Sequence, residues 1–408
     1  MLTVACCGVF VFACAGSDVL SEPSRDLAPP VRNVRVLIAS DVKRIRFRAD
    51  GAMSVVGDNA TSFHSGAAGD WIVASRDAAG GIRLGEASRL PDGLTLQPEH
   101  TDYITVSVYG NGDWSPGSPY PGTLRLIAGE DGRLDLVNFV DVERYVACVV
   151  ANEVWPTFDT EAYRAQAIAA RTFVLYQMRR RSKAAFDVVA TQASQVYRGI
   201  RADEVGRRAT DAAEYTRGIV LTWHDGGKDR LFCAYYSAAC GGMSQSAAIF
   251  GQEDDIKPLA GGVRCDYCKI APGETYRWGP IRLSKKEVRS RLVSAYPKLA
   301  SLGRIRNIEA IERTPSGRPV RLRITGASGE SHDMLAERFR LAMGGNVIRS
   351  TDCKIRVTDR QVIFEDGRGF GHGLGLCQWG MQGQALQGKQ AGEILRYYYP
   401  GSKLTRVY

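Results

Sequence analysis

After residue 20 the chain has no apolar run long enough to span a membrane, so nothing there reads as a transmembrane segment. It lacks a dense basic stripe. Its net charge of +9 is spread over 408 residues, which does not call for nucleic acid and suits a carboxylate-bearing polymer equally well. The one basic cluster, Arg179-Arg180-Arg181-Ser182-Lys183, closes a helical pattern, where cations complement the helix C-terminus. No internal repeat of 20–50 residues appears, which excludes solenoids and propellers. Beyond Cys14 there are seven cysteines, an odd number, so disulfides cannot use them all.

What is present is ordinary in bulk. At 44% hydrophobic and 24% charged the chain is long enough for two or three domains with sizeable cores. Leu2 to Ala15 is uncharged and suits the apolar part of a secretory signal. The usual leading Lys or Arg is missing, and the expectation is a start further upstream. Val11-Phe12-Ala13-Cys14 loosely matches a lipoprotein cleavage site, with Cys14 as the lipid-bearing residue and attachment to a membrane surface as the consequence. A plain cleaved signal and a buried N-terminal helix remain open. Residues 17–32, with Pro23, Pro29 and Pro30, read as a tether.

From Val34 onward the pattern favours strands: Val34–Ile38, Ser54–Val56, Trp71–Ala74, Tyr103–Tyr109, Thr123–Ile127 and Arg133–Val137, separated by turn residues. Gly110–Gly122, with three prolines and four glycines, reads as a loop. A strong helix is expected from about Glu161 to Arg181, capped by Asp159 or Thr160. Its interior is small or apolar almost all round, so it is buried. Gln166 and Arg171 interrupt it, and each needs a partner; at about 140° apart they do not share one. Shorter helices are expected at Thr210–Tyr215, Lys285–Tyr296, Met334–Met343 and Ile394–Tyr399, with strands at Gly218–Trp223 and Leu231–Tyr236. The fold class expected is α+β. A tether (1–32) leads to a β-rich part (33–118), then to a mixed α+β catalytic region (119–408) built on the buried Ala-rich helix.

Near the C-terminus, glycine recurs at every second position from Gly367 to Gly375, with His372 among them and Gln378-Trp379 just beyond. Five glycines so spaced describe a backbone ribbon against which another segment fits closely.

Several segments in order resemble the SpoIID/LytB family. Arg144-Tyr145-Val146-Ala147-Cys148-Val149-Val150 leads to Glu153. Glu161-Ala162-Tyr163-Arg164-Ala165-Gln166-Ala167-Ile168-Ala169-Ala170-Arg171-Thr172-Phe173 is similar to that family's E-A-L-K-A-Q-A-V-A-A-R-T-Y. Gln195-Val196-Tyr197-Arg198-Gly199, Tyr215–Gly218, Tyr236–Ser244 and the glycine ribbon follow. The match covers about residues 120–405. Two departures are Val154 in place of the family's Met in Glu-Met-Pro, with Trp155 before Pro156, and Cys377 before Gln-Trp where the family has serine or a similar residue.

The resemblance implies an exported, envelope-located peptidoglycan lytic transglycosylase, or a non-catalytic wall-binding module that enhances a partner cell-wall amidase. A secreted structural metalloprotein is a third reading. Hydrolases place two carboxylates across a glycosidic bond, and no obvious pair lies near these motifs. A lytic transglycosylase, as the resemblance implies, needs one acid, and Glu153 is the candidate. Val149, Val150, Val154 and Trp155 flank it, and desolvation by such neighbours holds a carboxyl protonated. His372 is the second candidate for a catalytic role. Gln195, Tyr197, Gln378, Trp379 and Arg171 are candidate substrate-binding residues, with the flat rings of Trp155, Tyr197 and Trp379 suited to sugar faces. No cofactor is required by that chemistry. Cys265-Asp266-Tyr267-Cys268 has zinc-knuckle spacing, and Cys240, Cys265 and Cys268 supply three of the four ligands of a structural zinc, with Cys233 or Cys377 as the fourth. A disulfide is the rival.

Overall fold

The computed structural model describes residues 33–59, 62–65, 69–77, 80–250 and 256–408. The expected tether and Cys14 lie outside them. The class is α+β as expected, and no helix among the described residues is long and apolar enough to cross a membrane.

The N-terminal part is two packed antiparallel-rich sheets. The first runs in the order Val188–Val189, Asn33–Val42, Leu134–Asp141, Thr123–Ala128, Gly93–Pro98, Met53–Gly57, Ser62–Ser65. The second runs Asp113–Trp114, Tyr103–Gly110, Arg44–Arg48, Ile72–Arg76, Ile82–Leu84, Ala87–Leu90, with Ser118–Pro121 also on Tyr103–Gly110. Alternation sets the faces. In Arg44-Ile45-Arg46-Phe47-Arg48, Ile45 and Phe47 are fully buried against Leu94, Leu96, Leu124 and Leu126, and the arginines face outward. The expected boundary at residue 118 falls at the start of a strand. The stretch expected to be a loop at 110–122 contains two strands, because Asn111 and Gly112 take positive φ and turn the chain into a hairpin.

The central core is helical. Helix α1 (Val142–Glu153) starts at Asp141, whose carboxylate accepts from the amides of Glu143 and Arg144. Val142, Tyr145, Val146, Val149 and Val150 form its buried stripe. It stops at Val154, which is extended; Pro156 disfavours helix at the residue before it. Helix α2 (Thr160–Arg180) is capped by Asp159 and buried from Ala162 to Leu175 on nearly every side. Helix α3 (Glu204–Tyr215) begins earlier than expected because Asp203 caps it. The expected strand Leu231–Tyr236 is instead two short strands, Lys228–Leu231 and Tyr236–Ser237; the first pairs with Ile219–Asp225 and the second with Leu376–Cys377, and the partner changes between them.

Residues 278–364 build a satellite unit with a core of its own. Two three-stranded sheets enclose helices α4 (Lys285–Ala295) and α5 (Ala336–Met343). The chain then returns to the central core through the glycine ribbon, helix α6 (Gln378–Ala385) and helix α7 (Ala391–Tyr398). What fits against the ribbon is the chain's own segment Tyr235–Gly241. Ala239 and Phe370 exchange backbone hydrogen bonds, and Leu376 donates to the Tyr235 carbonyl. At Gly375 (φ +68°) a Cβ would sit 2.1 Å from that carbonyl oxygen, so only glycine allows the approach.

Candidate active site

Glu153 is the last residue of α1 and half-buried. Its Oε1 accepts from the Val196 amide at 2.7 Å and, at a longer 3.4 Å, from the Tyr236 hydroxyl. The Gln378 amide is a further donor at the carboxyl. Behind Tyr236 lies a directed chain of donors. Tyr145 Oη donates to Gln195 Oε1 at 3.0 Å, and Gln195 Nε2 donates to Tyr236 Oη at 3.0 Å. Since Gln195 fills an acceptor position on Tyr236, the tyrosine's own proton points to the acid.

Burial raises the Glu153 carboxyl above its usual range. The Val196 amide, Gln378, Tyr236 and Arg198 pull the other way and do not cancel it. Its position at a helix C-terminus also disfavours negative charge. The groups on the carboxylate are thus a backbone amide, the Gln378 amide and a hydroxyl, with a guanidinium further out, and among the described residues no second carboxylate joins them.

The ribbon reaches this acid through Gln378. Its Nε2 donates to the Glu153 carbonyl and to Gln166 Oε1, both at 3.3 Å, and so joins α1, α2 and α6. Trp379 packs on Phe158 with ring centroids 4.9 Å apart and on Trp155 at 5.7 Å. Trp155 is 51% exposed, whereas Trp379 is buried. The open aromatic face beside Glu153 therefore belongs to Trp155.

The other sequence candidates lie elsewhere. Tyr197 is buried, donates to Asn138 Oδ1 and stacks on Tyr145 with ring centroids 5.1 Å apart. Arg171 is fully buried and clamps Glu143 through Nε at 3.0 Å and through its terminal nitrogen; it also donates to the Ile219 and Ala213 carbonyls. Glu143 further accepts from the Gly218 amide and the Tyr408 hydroxyl. His372 is held by other partners. Its Nδ1 accepts from the Leu374 amide at 2.9 Å, the Tyr236 carbonyl takes its other nitrogen, and its ring packs edge-on to Phe250 and Tyr235. Desolvation pushes it down to about 4, with Arg340 and Arg318 adding and Glu337 opposing. It makes no hydrogen bond to Glu153. Sequence reasoning did not single out Tyr236, Val196 or Tyr145. Tyr236 opens a motif that was noted, but its partner lies 83 residues away.

A second cluster lies on the other face of α6. The Sγ atoms of Cys240, Cys265, Cys268 and Cys377 all lie within 4.8 Å of one another, and all four residues are buried free thiols. Cys377 completes this group; Cys233 is not part of it. The Cys240 and Cys268 sulfurs are 3.8 Å apart. Four sulfurs at about 2.3 Å from a tetrahedral centre are separated by about 3.8 Å, so the donor set fits a closed zinc site.

With this geometry in view, similarity to known proteins can be placed on it. A family model described as Stage II sporulation protein, SpoIID, matches residues 130–223, which hold Glu143, Glu153, Arg171 and Gln195. The Stage II sporulation protein D of Bacillus subtilis is 27% identical over 328 residues, covering 77% of this chain and 88% of that protein. These matches support assignment to the SpoIID/LytB family. An uncharacterized protein of Brachyspira hyodysenteriae is 29% identical over 79% of this chain and 78% of its own length. The Amidase enhancer of Bacillus subtilis is 24% identical over 63% of this chain, but the match spans only 40% of that protein. A second model, a Domain of unknown function (DUF8618), matches residues 269–375. That match covers the satellite unit and the glycine ribbon to Gly375.

Proposed function

We propose that the protein acts outside the cytoplasm on the cell wall and is a peptidoglycan lytic transglycosylase with Glu153 as its single acid and base. The carrying observation is a half-buried carboxyl, raised by desolvation, held by one oxygen and flanked by the exposed Trp155. In this reading protonated Glu153 gives its proton to the oxygen bridging N-acetylmuramic acid and N-acetylglucosamine, and that C–O bond breaks. The Glu153 carboxylate then takes the proton of the C6 hydroxyl as that oxygen bonds to C1, closing an anhydro ring. Attack from within the same sugar gains from proximity and needs no bound water. Among the described residues no second carboxylate lies on Glu153, which is in keeping with this route rather than hydrolysis. Trp155 stacks on a sugar face, and Gln378 holds the acid's backbone in place.

The test is purified protein with isolated glycan strands. Anhydro-muramyl ends are expected from the wild type and absent with Glu153→Gln. The likeness to the Amidase enhancer supports a second reading, in which the same groove binds glycan without cutting it and assists an amidase; binding with no anhydro ends favours it.

The chemistry of the donor set further supports a structural zinc held by Cys240, Cys265, Cys268 and Cys377. A closed four-thiolate site offers no open position for substrate and supplies folding energy. It would pin the turn at 265–268 to the strand at Leu376–Cys377 and so fix the start of α6. Metal analysis of the purified protein should give about one zinc per chain, lost in Cys265→Ser.

A further inference from the structure

The outer face of the N-terminal sheet carries a row of cations that the acid's site does not use. Arg44, Arg46 and Arg48 alternate along one strand, about 6.8 Å apart, and form a line roughly 14 Å long. Aromatic rings from other strands slot between them. The guanidinium of Arg44 lies 3.7 Å from the Tyr109 ring and 5.6 Å from Trp114. Arg46 lies 4.6 Å from Trp114 and 4.3 Å from Trp71, and Arg48 lies 4.9 Å from Trp71. The result is one continuous stack, Tyr109–Arg44–Trp114–Arg46–Trp71–Arg48. It lies outside the residues that either family model matches.

Three facts point to a ligand. None of the three arginines forms an ion pair with a described carboxylate. The acids at Tyr103 are occupied: Asp50 accepts from the Tyr103 hydroxyl and Asp102 pairs with Arg144. The Nε–H groups of Arg46 and Arg48 are covered and have no partner among the described residues, so no protein acceptor among them competes for these guanidiniums. Stacking on the rings also restricts each planar guanidinium to one orientation, and a planar fork of donors suits carboxylates.

We propose that this ladder is a docking surface for an anionic glycan strand whose carboxylates lie along it. A row of fixed donors suits a polymer with repeated carboxylates better than a single small anion. Single-stranded nucleic acid binds by stacking bases on open aromatic faces, and both neighbours of Trp71 and of Trp114 in the stack are already guanidiniums. The ladder is tied to the acid. Ser118–Pro121 pairs with the Tyr109 strand, the Ile200 amide donates to the Pro119 carbonyl at 2.7 Å, and Tyr120 packs on Tyr197. Residues 196–200 thus connect the ladder to Val196, which holds Glu153. The choice of glycan as ligand rests on the functional reading above, whereas the docking role does not require that the glycan be cut.

The experiment is co-sedimentation of the full chain with purified glycan strands in three forms. One carries free lactyl carboxylates, one has those carboxylates amidated by carbodiimide, and one retains its phosphate polymers. Wild type should bind the carboxylate form, and amidation should abolish most of that binding. Arg44→Gln/Arg48→Gln should bind it about tenfold more weakly, with an unchanged thermal midpoint. Arg44→Lys/Arg48→Lys, which keeps the charge and loses the planar fork, should fall between them. Equal binding by wild type and the Gln variant, equal binding to the amidated strand, or binding only to the phosphate-bearing form would overturn the proposal. Should the Gln variant fail to fold, the Lys variant and the amidated strand decide the question. Formation of anhydro ends is scored separately with Glu153→Gln, so failure of the cleavage reading leaves this result readable.

Discussion

The Val196 amide donates to Glu153 Oε1 at 2.7 Å across 43 residues of sequence. A backbone donor fixes one carboxyl oxygen whatever side chain residue 196 carries. In the proposed mechanism the proton is carried on the other oxygen, Oε2. Glu153→Gln keeps the acceptor at Oε1 and removes the titratable group. Formation of anhydro-muramyl ends should fall by about 10²–10⁴-fold, the range of general acid catalysis, while glycan binding persists. Product analysis beside a binding assay checks both halves.

The same substitution should act on stability in a defined direction. Burial raises the Glu153 carboxyl in the folded state. Between its unfolded value, about 4.3, and its higher folded value, the folded chain binds more protons than the unfolded chain. Stability therefore falls as pH rises through that window. Glu153→Gln has no such loss. Relative to wild type it should gain stability at neutral pH, and the advantage should vanish below the window. Urea midpoints from acidic to neutral pH measure this; an advantage that grows on acidification would contradict it.

How much of this was readable in advance differs by element. Helix α2 is legible through Asp159 and a run of small residues, whereas strand Arg44–Arg48 is not among the expected strands although its alternation is strict. Helix α1 was harder to see. In sequence Arg144–Val150 is only a motif leading to the acid, since its apolar stripe is close to continuous and period alone does not separate helix from strand there. The Cys240–Cys265–Cys268 set followed from spacing, but the choice of Cys377 over Cys233 depended on where the ribbon returns. Arg171 was legible as a buried cation in need of a partner; Glu143, 28 residues away, was not. Tyr236 and Val196 lie in segments that match the family, but nothing local marks them as partners of Glu153, because long-range packing alone brings them to it.

The Arg171–Glu143 pair predicts a structural outcome. Both groups are buried and their remaining hydrogen-bonding positions are filled by Gly218, Tyr408, Ile219 and Ala213. Arg171→Met leaves Glu143 buried without its counter-charge and should cost about 3–5 kcal/mol. Adding Glu143→Gln should recover part of that loss. Denaturant unfolding of the two single variants and the double variant measures the coupling, and additive losses would rule out a mutually dependent pair.

Gly380 tests the link between α6 and the cysteine cluster. A Cβ there would lie 2.0 Å from the Tyr398 hydroxyl and 2.6 Å from Cys265 Sγ. Gly380→Ala should force α6 away from the 265–268 turn at about 1–3 kcal/mol and reduce zinc retention against a chelator. Gly388→Ala is the control. It carries a φ of +80° with open space around it, so it should cost about 1–2 kcal/mol of backbone strain and leave metal retention unchanged.

His372 supplies the opposite pH sign to Glu153. Desolvation pushes its imidazole down to about 4, against about 6.5 in an unfolded chain. Between those values the unfolded chain binds a proton that the folded chain does not, so stability rises with pH through the window and is lost on acidification. The imidazole is therefore neutral near pH 7, with Nδ1 as acceptor for the Leu374 amide. His372→Asn keeps an acceptor of similar reach and does not titrate. At pH 7 it should be the less stable protein, because it leaves the packing against Phe250 and Tyr235 incomplete. As pH falls from about 6.5 to 4 the deficit should shrink, since only wild type pays the proton penalty. Urea midpoints at several values across that range give the test, and two curves that stay parallel would show that the imidazole is not held neutral by its surroundings.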